Sequence, residues 1–339
     1  MHQVGWSHSY TASSQAPNPR DSLKDSFTLM TAVGGFVPAE IRRVRRGFAK
    51  ALLEGAKMRR LLFWSFLLVV VAAPAAAEAP PQLQSLEREL RQIEAANPGN
   101  VGIAALDLTS GEMVSIHGDE PFPMASTVKV AIAAEYLSQI EHGRRTLDTL
   151  IRGRSARSLL EAMLIHSDNA ATDIVLADLG GPANVQLWLA QNRLTGLRID
   201  RTIAQLLSAR RDLRDRRDSS TPRAMVTLLQ RIDSGTLIKP ASRNYLLSLM
   251  ARCATGKNRM KALLPFGTPV EHKTGTLTGL STDVGFITLP DGRRLAIALF
   301  ARQGTNRPRT LAEAARKIYD GFANVFALPF GNAPTAALN

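Results

Sequence analysis

Apolar residues at 82–95 recur at helical spacing, with Leu83, Leu86, Leu90 and Ile93 on one face and Asn97-Pro98-Gly99 ending the run. The pattern then changes. Residues 101–108 and 113–117 read as two strands around the Thr109-Ser110-Gly111-Glu112 turn. A long helical stretch follows at 126–140, and further helices fit 156–165, 170–179, 183–192, 222–232 and 241–252. Strands return at 270–274, 283–289 and 294–300, with Pro290-Asp291-Gly292 as the hairpin turn between the last two. A closing helix spans 310–325. Strands therefore come first and last, with a helical block between them. This order predicts an α+β fold of sandwich type: an antiparallel sheet built from both chain ends and flanked by helices, with an inserted all-helical domain. The predicted sheet lobe covers about 78–125 and 265–330, and the helical lobe about 126–264. A cleft between them is the expected place for a site.

The N-terminal segment reads differently. Met58-Arg59-Arg60 is a basic start, residues 61–73 form an uncharged apolar run, and Ala75-Ala76-Ala77 is a cleavage signal before Glu78. The run is shorter than the ~20 residues of a membrane span. It predicts a secretory signal peptide at 58–77, cleaved to leave no stable span, and a secreted, periplasmic protein. Met58 is then the expected start, and 1–57 an upstream extension outside the fold. Removing the ten basic and four acidic residues of 1–77 leaves 32 and 25, a net charge of +7. That balance suits a moderately basic secreted protein rather than a nucleic-acid binder. Cys253 is the only cysteine, so no internal disulfide is possible.

Three short motifs carry chemistry. Ser126-Thr127-Val128-Lys129 places a hydroxyl and an amine one helical turn apart. A serine becomes a nucleophile when a base takes its proton, and a lysine is that base once burial or a neighbouring cation lowers its pKa. Ser167-Asp168-Asn169 lies between two predicted helices. Ser167 is placed to relay a proton, Asn169 to hydrogen-bond a substrate amide, and all three residue types also cap helices. Lys273-Thr274-Gly275-Thr276 lies on a predicted strand. Lys273, Thr274 and Thr276 offer a charge and two hydroxyls to a substrate carboxylate, and Gly275 permits close backbone approach. The backbone N–H groups of Ser126 and Thr276 are candidates for an oxyanion hole. Each motif alone is weak; the three in this order are not.

This S-x-x-K, S-D-N, K-T-G series resembles that of class A β-lactamases and penicillin-binding proteins, and the resemblance covers nearly all of 78–339. It implies Ser126 as nucleophile, Lys129 as base, and Ser167 and Lys273 as proton shuttles. Asp200-Arg201 and Arg217-Asp218, followed by Thr221-Pro222, resemble the two ends of the family's Ω-loop, whose neck an Arg–Asp pair ties; Arg201 and Asp218 are the implied pair. The chain departs from the family in three ways. No glutamate occurs between Glu161 and Glu271, and the place of the family's deacylating base falls on Ile203 counted forward or Gln205 counted back. Asp212 and Asp215 are poor substitutes, expected to pair with Arg210, Arg211, Arg214 and Arg216. Ser126 and Ser167 stand only 41 residues apart, which suggests a more open cleft. Thr282 stands where some relatives place a carboxylate-binding arginine, leaving Arg302, Arg307 and Arg309 as candidates.

The implied activity is a serine hydrolase forming an acyl-enzyme with β-lactams or related amides. A D-alanyl-D-alanine peptidase acting on peptidoglycan, and a ligand-binding module that has lost turnover, are the competing readings. The expected partner is a small β-lactam or peptidoglycan-type substrate, not nucleic acid, and a monomer is expected. No H-E-x-x-H, cysteine cluster or glycine-rich phosphate loop occurs, so neither metal nor cofactor is expected.

Overall fold

A computed structural model describes residues 83–97 and 100–325. The extension at 1–57, the signal segment at 58–77 and the helix stop at Pro98-Gly99 lie outside the described residues. Helix α1 (Gln84–Ala95) leads into β1 (Asn100–Asp107) and β2 (Met113–Ile116). The chain returns to the sheet only at β7 (Val270–Leu277), β8 (Leu280–Thr288) and β9 (Arg294–Arg302), before helix α9 (Arg307–Val325). The five strands are antiparallel in the order β2-β1-β9-β8-β7, so the first and last segments pair at the centre. Among the described residues β7 is an edge strand, with no strand paired to its outer side.

The sheet is buried on both faces, which explains why β1 and β9 read as near-continuous apolar runs; β8 is buried as well but carries Ser281, Thr282 and Asp283. On one face Leu83, Leu86 and Leu90 of α1 and Leu311, Ile318 and Phe322 of α9 pack on Ile103, Ile297 and Leu299. On the other, Ala104, Phe286, Ala298 and Phe300 join Leu228, Leu229 and Ile232 of α7 (Pro222–Asp233) and the helices beyond. Those are α2 (Lys129–Glu141), α3 (Ala156–Ile165), α4 (Asn169–Asp178), α5 (Pro182–Gln191), α6 (Ile203–Ser208) and α8 (Pro240–Ala251). The fold is thus α+β, with an antiparallel sheet from both chain ends and a helical block between. Short pairs β3 (Phe122–Pro123) with β6 (Ser219–Ser220), and β4 (Leu150–Ile151) with β5 (Arg154–Ser155), bind the block together. None of these four, nor α6, was predicted; each is too short to show a period.

Candidate active site

Ser126 lies not in the first turn of an α-helix, as its spacing predicts, but in a 3-10 turn (Ala125–Val128) that feeds α2. Ala125 before it has φ 48°, a left-handed conformation that costs a non-glycine residue about 1–3 kcal/mol. Met124 holds the entry to the turn. Its N–H donates to the Asp218 carbonyl (2.9 Å). Its carbonyl accepts from the Thr127 (2.8 Å) and Thr282 (3.2 Å) hydroxyls. Ser126 keeps partial solvent exposure.

Lys129 and Lys273 are both fully buried, and their amines meet at Ser167. Lys129 Nζ donates to the Ser167 carbonyl (2.7 Å), Asn169 Oδ1 (2.8 Å), Ser167 Oγ (3.3 Å) and the Asp168 carbonyl (3.3 Å). Lys273 Nζ donates to Ser167 Oγ (2.9 Å) and the Thr274 carbonyl (2.8 Å). Burial, reinforced by the Lys273 charge, pulls the Lys129 amine from 10.5 down to about 7. Burial likewise pulls Lys273 to about 8, against the opposing influence of Cys253 and Asp283. The Ser126 hydroxyl makes no hydrogen bond to another described residue; Lys129 turns to the Ser167-Asp168-Asn169 segment instead. Ser167 is held at φ 59°, again left-handed. Asp168 caps α4 by accepting from the Ala171 N–H (2.6 Å), the capping role its type suggests.

β7 presses its Lys273-Thr274-Gly275-Thr276 segment against the Ser126 turn. A Cβ on Gly275 would lie 2.9 Å from the Ser126 nitrogen, 2.7 Å from the Met124 carbonyl and 2.4 Å from Thr282 Oγ1. Only glycine permits this approach. The candidate oxyanion donors, the N–H groups of Ser126 and Thr276, therefore belong to adjoining backbone segments. Thr274 Oγ1 hydrogen-bonds Thr255 Oγ1 (2.5 Å).

The guanidinium that reaches this segment is Arg259. It donates to the Gly275 (2.7 Å) and Thr282 (2.9 Å) carbonyls and to Thr276 Oγ1 (2.5 Å). The three arginines picked from sequence are elsewhere. Arg302 stacks on Phe122 and pairs with Glu120, Arg307 donates to the Gln303 and Gly304 carbonyls, and Arg309 pairs with Glu313. Nothing in the local sequence separated Arg259 from other arginines; its role appears only when Gly256-Lys257-Asn258 turns it beneath β7. His272 and Asp283 form a second buried pair behind β7 (Nδ1···Oδ1, 2.8 Å), and Asp283 Oδ2 accepts the Met260 N–H (3.1 Å). Neither residue takes part in the Ser167 cluster.

The neck of the loop at 201–218 closes as implied: Arg201 Nε donates to Asp218 Oδ2 (2.5 Å). Neither counted position offers an acid or a water-orienting group to the site. Ile203 is buried, and exposed Gln205 forms a capping box with Thr202 at the start of α6, accepting from its N–H (2.9 Å). Asp173, one turn beyond Asn169 on α4, accepts the Ile203 (2.7 Å) and Ala204 (2.9 Å) N–H groups and so docks α6. Asp215 pairs with Arg217 (2.8 Å) and Arg201 (3.3 Å), not with the four arginines expected, and Asp212 accepts the Arg214 N–H (2.8 Å). Among the described residues no group of three or more His, Cys, Asp or Glu is placed to hold a metal ion.

A sheet built from both chain ends, with two buried lysines meeting on half-buried Ser167 beside a strained serine turn, defines a serine-hydrolase type of α+β protein. The chain matches the β-lactamase enzyme family over residues 85–322. A carbapenem-hydrolyzing β-lactamase KPC of Klebsiella oxytoca is 29% identical over 282 residues, spanning 75% of this chain and 95% of that protein. β-Lactamase L2 of Stenotrophomonas maltophilia is 33% identical over 230 residues, 62% of this chain and 75% of that protein. A solved ancestral class A β-lactamase is 30% identical with a TM-score of 0.66, covering 70% of this chain and all (100%) of that one. The chain belongs to the β-lactamase enzyme family, in the class A-like superfamily, whose members are serine hydrolases of the β-lactam type.

Proposed function

We propose that this protein is a secreted serine hydrolase whose Ser126 forms an acyl-enzyme with β-lactams or related amides and releases it slowly. The observation that carries the reading is the meeting of two buried amines on one hydroxyl, Ser167, beside a turn whose Ser126 stays partly open to solvent. Near neutral pH Lys129 is partly neutral and has a lone pair to accept the Ser126 proton, with the amine swinging from Asn169 toward the attacking oxygen. The carbonyl carbon takes the Ser126 oxygen, and the N–H groups of Ser126 and Thr276 receive the developing oxyanion. As the C–N bond breaks, the leaving nitrogen takes a proton from Ser167 Oγ, which Lys273 or Lys129 restores. Lys273, Arg259, Thr274 and Thr276 hold the substrate carboxylate, and Asn169 its amide. The signal-like segment at 58–77 supports export to the periplasm.

The absent Ω-loop acid supports slow deacylation. A missing general base costs about 10²–10⁴-fold. The same absence favours a second reading, a D-alanyl-D-alanine peptidase or penicillin-binding protein. The test mixes the full chain with a fluorescent penicillin and a chromogenic cephalosporin. Stable label that vanishes in Ser126→Ala, with slow colour, is expected. Fast colour without lasting label would instead mean an efficient lactamase, and no label in the native chain would overturn the acyl-enzyme reading.

A further inference from the structure

The segment between Gln205 and the Ω-loop neck carries Arg210, Arg211, Arg214, Arg216 and Arg217 within eight residues. Only Arg217 has an ion-pair partner there: Asp215, which it shares with Arg201. Arg210, Arg214 and Arg216 are exposed and Arg211 is half-buried, and none of the four has an ion pair or side-chain hydrogen bond among the described residues. Asp212 is the one remaining acid in the stretch, and it holds the Arg214 N–H. The loop is nevertheless well anchored. Asp218 ties its neck to Arg201, and the Asp215 carboxylate accepts the Arg217 N–H (3.0 Å). Leu213 packs against the cluster of Ala125, Leu277 and Leu280, and its carbonyl accepts from Arg302 (3.4 Å). Ala125 immediately precedes Ser126, and Leu277 follows Thr276. Arg211 and Arg214 stand two positions before and one after Leu213, so their Cα atoms lie within about 8 Å of a residue seated against the Ser126 turn.

We propose that this arginine arc is a subsite for a second anionic group on the substrate, a carboxylate carried on the acyl side. The inference rests on the acyl-enzyme reading of Ser126 and deepens it by naming the substrate class. Lys273, Arg259 and Thr276 already serve the carboxylate next to the scissile bond, so the arc acts on a different anion. Guanidinium forks bind carboxylates in bidentate fashion, and these four have no competing side chain. Their charge sits on the rim, where it raises the local concentration of anionic substrates and is screened by salt.

The test compares acylation of the full chain by benzylpenicillin and by carbenicillin, which adds a side-chain carboxylate. Second-order rates are taken from competition with a fluorescent penicillin. At low salt carbenicillin is expected to react about 10-fold faster. The preference shrinks to about twofold or less in 0.5 M salt. The combined variant R210Q/R211Q/R214Q/R216Q brings the two rates together, with circular dichroism checking its fold. Equal rates in the native chain, or a preference that survives the variant, overturn the arc. If neither penicillin labels Ser126, the acyl-enzyme reading fails by itself. Titration of tri-D-glutamate by calorimetry then decides the arc: binding weakened about 10-fold in the combined variant supports it, and equal or absent binding in both chains overturns it.

Discussion

At the scale of single residues, the chemistry depends on where two amines sit. Lys129 and Lys273 would be ordinary surface cations if exposed; full burial moves them to about 7 and about 8. Both shifts favour the neutral amine, which suits the proposed role of Lys129 and works against that of Lys273. Lys129 must lose its proton to act as a base, and an amine loses its proton as pH rises. Lys273 must keep its charge to hold a carboxylate. Acylation by benzylpenicillin is therefore expected to climb through about pH 7 and to fall above about pH 8. Stopped-flow labelling across pH 5–10 checks this, and a rate flat across that range would contradict Lys129 as the base. The types and order of these residues were legible in the sequence because the motifs are local. The direction of the Lys129 amine was not. Spacing put it one turn from Ser126, yet its hydrogen bonds go to residues 38 to 40 positions away. Arg259 was hidden for the same reason: its partners lie on β7 and β8, and no local pattern records them.

Elements place those residues. The 3-10 turn at Ala125–Val128 and the edge strand β7 approach so closely that Gly275 has no room for a side chain. Gly275→Ala must push apart backbone atoms of two elements, because two of the three nearest atoms are the Met124 carbonyl and the Ser126 nitrogen. Overpacking of this kind costs about 1–3 kcal/mol of stability. Its larger effect falls on acylation, since the displaced atoms include a candidate oxyanion donor. Losing such a donor slows reactions about 10²–10³-fold. Thermal melting and the acylation rate measured together check this, and a variant that acylates at the native rate would refute the oxyanion assignment. The long elements were readable within a few residues, because α3, α7, α8 and the sheet strands show clear periods or apolar runs. β7 runs on past the predicted 274 and β8 starts before the predicted 283, with Gly275 to Leu277 paired to Leu280 to Thr282. The 3-10 turn was read as α-helix because both share the local apolar pattern, and only the left-handed Ala125 separates them.

For the whole molecule, the question is how Ser126, the proposed nucleophile, keeps its place near the junction of sheet and helical block. Met124 answers it. Its carbonyl is fixed by Thr282 on β8, and its nitrogen by the carbonyl of Asp218 in the Ω-loop neck. Asp218 also accepts the N–H groups of Asp200 (2.8 Å) and Arg201 (3.0 Å) beside the Arg201 guanidinium, while nearly buried. One residue thus closes the loop and, through its carbonyl, braces the serine turn. Asp218→Ala leaves the Arg201 guanidinium with Asp215 alone and frees the backbone donors of residues 200 and 201. Breaking a buried pair in this way costs about 3–5 kcal/mol. In a domain of this size that lowers the melting temperature by about 2–4 °C for each kcal/mol lost. The variant keeps the carbonyl that accepts the Met124 N–H, but the loosened neck no longer fixes where that carbonyl sits, so acylation is expected to slow even well below the new melting point. Asp218→Asn separates the two effects: it keeps acceptor oxygen for the loop backbone but loses the ion pair, so stability falls further than the acylation rate. A variant Asp218→Ala that melts with the native chain and acylates at the native rate would show that neither the fold nor the serine turn relies on the Asp218 carboxylate.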